Sequence, residues 1–152
     1  SGKATKIAGV VREIPPAETR LAFLAMQALR TDLEDEQSFV RQVDEIQRPE
    51  GYRLLGAFEE GASEAAAVAG FRTGHNLAWG HYLYVDDVST LPATRGRGCG
   101  ERLMDWLAGE AARLGCEGLH LDSGVAADRA PAHRLYMRHK LRISAHHFER
   151  EI

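Results

Sequence analysis

Apolar and polar positions alternate loosely over residues 7–14 and stop at Pro15-Pro16, the pattern of a first strand. The spacing then changes. Leu21, Leu24, Ala25, Ala28 and Leu29 recur at helical intervals, which predicts a helix over 17–30. A shorter helix is expected over 37–46, with Phe39, Val40, Val43 and Ile46 on one side, before Pro49 and Gly51 break the chain. Residues 52–58 and 66–72 read as an antiparallel strand pair joined by the polar turn 59–64. Residues 80–91 form a strand of aromatic and β-branched positions that holds two consecutive acids, Asp86 and Asp87. A glycine turn over 96–100 leads into a helix over 101–114, whose apolar stripe is Leu103, Leu107, Ala111 and Leu114. Gly115 stands where a left-handed residue usually ends a helix. A strand over 118–123, a helix over 131–139 and a last strand over 143–148 complete the pattern. The order β, α, α, three strands, α, β, α, β predicts one α/β domain spanning 1–152 around a mixed sheet. A strand-turn-helix-strand unit lies at its centre.

Composition narrows the function without naming it. A chain of 152 residues buries a core without disulfides or metals. The net charge of -3 argues against a nucleic-acid partner, and no apolar run is long enough for a membrane helix. Two cysteines, Cys99 and Cys116, with no zinc spacing, point to a reducing, cytoplasmic setting and no metal. The histidines do not alter this: His146 and His147 are adjacent, and His133 and His139 do not share a helical face. Ser1-Gly2, with no initiator methionine, reads as a cloning scar.

The chemistry concentrates in Arg95-Gly96-Arg97-Gly98-Cys99-Gly100. Glycines let the backbone come close to a ligand, and the first amides of the following helix have no internal partner, so an anion such as a pyrophosphate suits the turn. Arg95 and Arg97 add charge that matches phosphate oxygens. Two other readings stand beside this one. The turn is either a tight connection that merely needs glycine, or a dinucleotide-binding loop with Asp122 as its later acid. A Walker-type loop is excluded because no Gly-Lys-Ser/Thr follows.

Residues 83–107, LYVDDVSTLPATRGRGCGERLMDWL, carry a strand, an Arg-x-x-Gly-x-Gly turn and a helix. A later helix carries Ala132-x-x-x-Tyr136. Together they resemble the GCN5-related N-acetyltransferase (GNAT) family. The resemblance implies a mostly antiparallel mixed sheet, flanked by helices, whose central parallel pair splays into a V. It implies that acetyl-CoA lies in that V. Val88, Ser89 and Thr90 would hold the pantetheine arm, and residues Arg95, Gly96, Arg97, Gly98, Cys99, Gly100 and Glu101 the pyrophosphate. Arg129 replaces an asparagine that many relatives place near the arm. The pattern x-x-x-Gly-Phe after the tyrosine is replaced by 137–141, where Arg138 or Lys140 is in a position to reach a CoA phosphate.

By the same resemblance Tyr136 protonates the departing thiolate. Asp86 is the favoured base, directly or through water. Side chains alternate along a strand, so only one of Asp86 and Asp87 is expected to face the acceptor, with Asp87 supporting a neighbouring loop. Asp122 either holds a cationic acceptor or caps a turn, and Cys99 acts as a small hydrophobe. Glu34, Asp35, Glu36 and Asp44 put negative charge on the helices expected to wall the acceptor side, which suits a small-molecule primary amine or a basic peptide. The alternative is a catalytically silent acyl-CoA-binding regulatory module, and a homodimer is compatible with the exposed sheet edge.

Overall fold

A computed structural model describes residues 9–152. Five strands form one sheet in the order β1-β2-β3-β4-β5. They are β1 (Gly9–Ile14), β2 (Arg53–Glu59), β3 (Ala67–Asn76), β4 (Gly80–Thr90) and β5 (Gly118–Leu121). Ile7 and Ala8 of the expected first strand lie outside the described residues. The first four strands pair antiparallel, and β4 pairs parallel with β5. A parallel pair cannot be closed by a hairpin, so the chain crosses over through α3 (Cys99–Arg113). The mixed sheet and its flanking helices match the expected α/β architecture.

Each sheet face has its own helices and core. Leu103, Met104, Leu107 and Ala111 of α3 pack on Leu55, Ala57, Ala69, Phe71, Leu83 and Val85, alternate residues of the three central strands. The opposite face, with Ile14, Leu54, Phe58 and Val68, takes the amino-terminal helices. There a 3-10 turn, Pro16–Ala22, winds into α1 (Phe23–Leu29). Asp35 caps α2 (Glu36–Arg41), its Oδ1 accepting from the Ser38 N–H at 2.8 Å. The helix expected over 37–46 then widens into a π-helical turn, Gln42–Gln47. Thr19 is buried beneath this junction. It donates to Asp44 at 2.6 Å and accepts from Arg48 at 2.9 Å, and Arg48 also reaches the Ile14 carbonyl at 2.9 Å. Four segments are tied there by one set of polar contacts that no local pattern announces.

Two details follow the sequence reading closely. Gly51 and Gly115 both have left-handed backbones, with φ of 99° and 75°, and both end helical segments. One expectation fails. Residues 143–148 form no strand, and Ile143 and Phe148 are 75% and 92% exposed. These two apolar side chains are five residues apart, so in an extended chain they point to opposite faces and offer no common face to bury. The fourth helix, α4 (Ala130–Arg138), is therefore the last regular element.

A charge network clamps α3 to the sheet. Arg53 on β2 bonds Glu13 of β1 at 2.7 Å and Glu110 of α3 at 2.6 Å, and Arg113 bonds the same Glu110 at 2.6 Å. Arg113, together with Arg53, lowers the Glu110 carboxyl from its ordinary 4.5 to about 2. A depressed carboxylate pKa stabilises the fold above the unfolded value, and that contribution is lost as pH falls from about 4.5 towards 2. Urea unfolding between pH 5 and pH 2.5 should therefore show a shallower loss of stability in Glu110→Gln than in the native chain, with the variant already weaker at pH 5.

Candidate active site

The site begins with a slip in register between β3 and β4. Pairing runs from Ala67 opposite Thr90 to Gly70 opposite Asp87, then resumes with Phe71 opposite Val85. Asp86 is the extra residue, and the strand bends around it. Phe71 and Val85 point into the α3 core. Arg72, the next residue of β3, points to the other face and bonds Asp86 there, Nε to Oδ2 at 3.0 Å. Asp87 points to that face too, where it accepts from the Tyr52 hydroxyl at 2.7 Å and from Arg30 Nη2 at 2.8 Å. The expectation that only one aspartate faces the acceptor side is thus corrected: the bulge cancels one step of alternation and aims both the same way.

The bend also parts β4 from β5. Their pairing covers Tyr82 to Val85 against Gly118 to Leu121 and ends at the residue before the bulge. Beyond it no strand among the described residues pairs with β4 on that side, so a V opens. Two cavities meet at its mouth. The larger, about 600 Å³, lies under the amino-terminal helices and is walled by Met26, Leu33, Phe39 and Val43, with Arg30, Arg72, Asp86 and Asp87 at one side. The smaller, about 240 Å³, occupies the V between Val85, Val88 and Leu121, with Arg129 and Tyr136 across from them. Arg30, Asp86 and Asp87 belong to both walls.

Burial sets the acid-base character of these groups. It raises the Asp86 carboxyl above the ordinary aspartate value, against the pull of the Arg72 guanidinium. Burial also raises the Tyr136 phenol, opposed by Arg129 beside it. Tyr52 is raised furthest, first by burial and then by the Asp87 carboxylate, so it stays a proton donor. Gly70 makes this contact possible: a Cβ there would sit 1.7 Å from the Tyr52 oxygen, so only a glycine lets the ring cross β3 to Asp87.

The glycine turn stands at the start of α3. Gly96 and Gly98 have φ of 79° and 83°, conformations that other residues avoid, and Gly98 immediately precedes the helix. They leave the first amides of a 15-residue helix without intrahelical partners. Arg97 is paired with Glu59. Glu101 is held by His139 and by Arg138, the latter at 2.6 Å. Cys99 is buried in the α3 core, as a small hydrophobe would be, and burial raises its thiol. Gly100 packs where a Cβ would meet Leu135 of α4 at 2.9 Å.

Of the residues expected from the sequence, Asp86, Val88, Arg129 and Tyr136 converge on the small cavity. Ser89 and Thr90 continue β4 beyond it, and residues 95–101 form the turn and helix start without lining either cavity. Glu34, Asp35, Glu36 and Asp44 do not line the larger cavity; the acids that do are Asp32, Glu50, Asp86 and Asp87. Asp35 and Asp44 are instead a helix cap and part of the Thr19 cluster. Asp122 bonds His147 at 2.9 Å at the edge of the V. Arg30, Tyr52 and Arg72, which hold Asp86 and Asp87, and Gly70, which admits Tyr52, are the candidate-site residues that sequence reasoning missed. Only Arg30, a cation closing an amphipathic helix, carried a local signal.

The sheet opens between its parallel strands beside a glycine-led helix start, in a single α/β domain. The sequence profile of the Acetyltransferase (GNAT) family matches residues 19–140, so this chain belongs to that family. The fold is shared with a putative acetyltransferase from Agrobacterium tumefaciens, at 21% identity and TM-score 0.78, covering 94% of this chain and 99% of that one. It is shared with a GNAT family acetyltransferase from Staphylococcus aureus, at 15% identity and TM-score 0.76, covering 96% and 100%. Glucosamine-6-phosphate N-acetyltransferase from Arabidopsis thaliana is similar at 16% identity and TM-score 0.73, covering 95% and 98%. No curated protein sequence matches the chain significantly. Among the described residues, no group of three His, Cys, Asp or Glu is placed to hold a metal, and no helix is long and apolar enough to cross a membrane.

The Gly70 contact yields a direct test. Gly70→Ala forces Tyr52 off Asp87 and should lower stability by about 1–3 kcal/mol, the usual cost of overpacking. In a Tyr52→Ala background the same substitution should cost much less, which a double-mutant cycle by urea denaturation reads out.

Proposed function

We propose that this chain transfers the acetyl group of acetyl-CoA to a primary amine of a small cationic acceptor. The observation that carries the reading is the shared wall. Asp86 and Asp87 line both an acceptor-sized cavity and the V in which a thioester would lie. The larger cavity holds four acids, Asp32, Glu50, Asp86 and Asp87, against two guanidiniums, Arg30 and Arg72, a balance that favours a cation.

The residues present fit acetyl-CoA. The left-handed Gly96 and Gly98 and the open start of α3 suit its pyrophosphate, and the unpaired side of β4 suits the amides of its arm. Acetyl-CoA supplies a carbonyl already activated as a thioester. In transfer, the amine nitrogen bonds to that carbonyl carbon and the carbon-sulfur bond breaks. The proton shed by nitrogen passes to Asp86, directly or through a water, and the leaving sulfur takes a proton from Tyr136. Burial serves both steps. It makes Asp86 a stronger base than an exposed aspartate and keeps the Tyr136 proton on oxygen until a thiolate needs it. Arg72 keeps Asp86 ionised despite its burial. Two free thiols, Cys99 and Cys116, suit a cytoplasmic setting.

The first test is a thermal shift with CoA, followed by an amine panel assayed for CoA thiol release. CoA should raise the melting temperature, and a diamine or amino sugar should be turned over. Absence of any shift at saturating CoA removes the reading. A shift without turnover of any amine favours the acyl-CoA-binding regulatory module instead. Asp86→Asn and Tyr136→Phe should each lower kcat by roughly 10²-fold or more while CoA binding persists, the range expected for losing a positioned acid or base. Because the Asp86 carboxyl is raised, the native rate should fall as pH drops through its elevated pKa. The residual activity of Asp86→Asn should lack that limb.

A further inference from the structure

Beyond the larger cavity, the sheet face that carries Asp86 ends in a group of rings. Tyr84 of β4 and His120 of β5 stand opposite each other in register, and both point away from the α3 core, as Arg72 and Asp86 do. Trp79, on the turn between β3 and β4, lies over them. Its ring stacks on His120 at 3.7 Å and runs parallel to Tyr84 at 6.3 Å. The turn is set for this, since the Trp79 N–H donates to the Asn76 side chain at 2.6 Å. His120 in turn lies over Gly118, where a Cβ would stand 2.9 Å from its Nε2. Rings packed in this way belong to a core, yet Trp79 is 39% exposed, so the stack turns an open face of indole to solvent.

Two charged side chains say what this shelf receives. The Arg72 guanidinium lies 5.0 Å from the centre of the Tyr84 ring while bonded to Asp86, so a cation of the chain itself already rests on these rings. Arg72 also lines the larger cavity, which makes shelf and cavity continuous. Asp122 follows His120 by two residues and is directed to the same side. Its described partners are Tyr84 and His147, the latter at 2.9 Å; neither is a permanent cation, and the Asp122 side chain is 54% exposed. Burial, then the hydrogen bond to Asp122, raises the Tyr84 phenol to about 12, so the tyrosine stays the donor of that bond. A carboxylate has about four acceptor sites, which leaves room for a further donor. Electron-rich rings with a carboxylate at their edge suit an alkylammonium.

We propose that Trp79, Tyr84, His120 and Asp122 form a second cation site, which holds a distal ammonium of the acceptor while the reacting amine lies at Asp86; this rests on the acetyltransferase reading above. Tyr84 and Asp86 are two strand residues apart, roughly 7 Å. An acceptor that reaches both places is a long diamine, and a monoamine of equal length leaves the shelf empty.

Diaminoheptane and heptylamine share a carbon chain and differ by one ammonium, so the pair isolates this site. The native chain should bind diaminoheptane more tightly by calorimetry and acetylate it with the lower KM. Trp79→Ala should weaken diaminoheptane by about 3- to 10-fold in both readouts, the range of a partly exposed cation–π contact. Its kcat, and the values for heptylamine, should not change. Trp79→Tyr keeps a ring and should recover most of the loss, and Asp122→Asn should weaken diaminoheptane in the same direction. The proposal is overturned if the native chain does not distinguish the two amines, or if Trp79→Ala weakens both alike. It is also overturned if light scattering finds a dimer that Trp79→Ala dissociates, because the shelf is then an interface between copies. If diaminoheptane is bound through Trp79 and no amine is acetylated, the transfer reading fails while the cation site is supported on its own.

Discussion

One extra residue in β4 is the constraint on which the site depends. A regular strand through Asp86 would stay paired with β5 and would send Asp86 and Asp87 to opposite faces. The slip between Gly70 and Phe71 changes both outcomes together. It ends the parallel pairing at Val85 and Leu121, which opens the V, and it turns two carboxylates towards the amino-terminal helices. The cleft and its acids thus have one geometric cause, which explains why they coincide in space.

The bulge is held by contacts from three separate stretches of chain. Arg72 draws on Asp86 from the neighbouring strand, Arg30 reaches Asp87 and the Asp86 carbonyl from the end of α1, and Tyr52 reaches Asp87 across Gly70. These bonds offset the cost of placing two carboxylates side by side in a partly buried wall. They also fix α1 against β4, so the helices that wall the larger cavity are registered to the acids they face. At the other end, the Glu13-Arg53-Glu110-Arg113 network holds α3 to β1 and β2 and keeps the glycine turn at a fixed place relative to the V.

Much of this was legible in the sequence, and the parts that were not share a reason. Periodicity located the strands and helices, Gly115 marked the end of α3, and the glycines at 96 and 98 take the backbone their type suggests. These are local properties, set within a few residues. The direction of Asp86 is not local: it depends on which residue of β3 stands opposite, and one unpaired residue reverses the answer. Tyr52 is 35 residues from Asp87 in sequence, and its role depends on Gly70, on yet another strand. The acids of the cavity were misplaced for the same reason, since α2 turns Asp35 into its own cap while Asp32 comes from the turn before α2 and Glu50 from the 3-10 turn after the π-helical segment. The tail beyond α4 shows the converse error, where strand-forming residue types lack a shared apolar face and form no strand.

The common wall of the two cavities has a thermodynamic meaning beyond chemistry. Arg30 belongs to both and is bonded to Asp87, so a ligand in either space that competes for that guanidinium changes the charge presented to the other. Whatever factor one ligand imposes on the affinity of the second, the second must impose on the first. A single arginine, with one carboxylate to hold and two cavities to face, is where such a coupling would act.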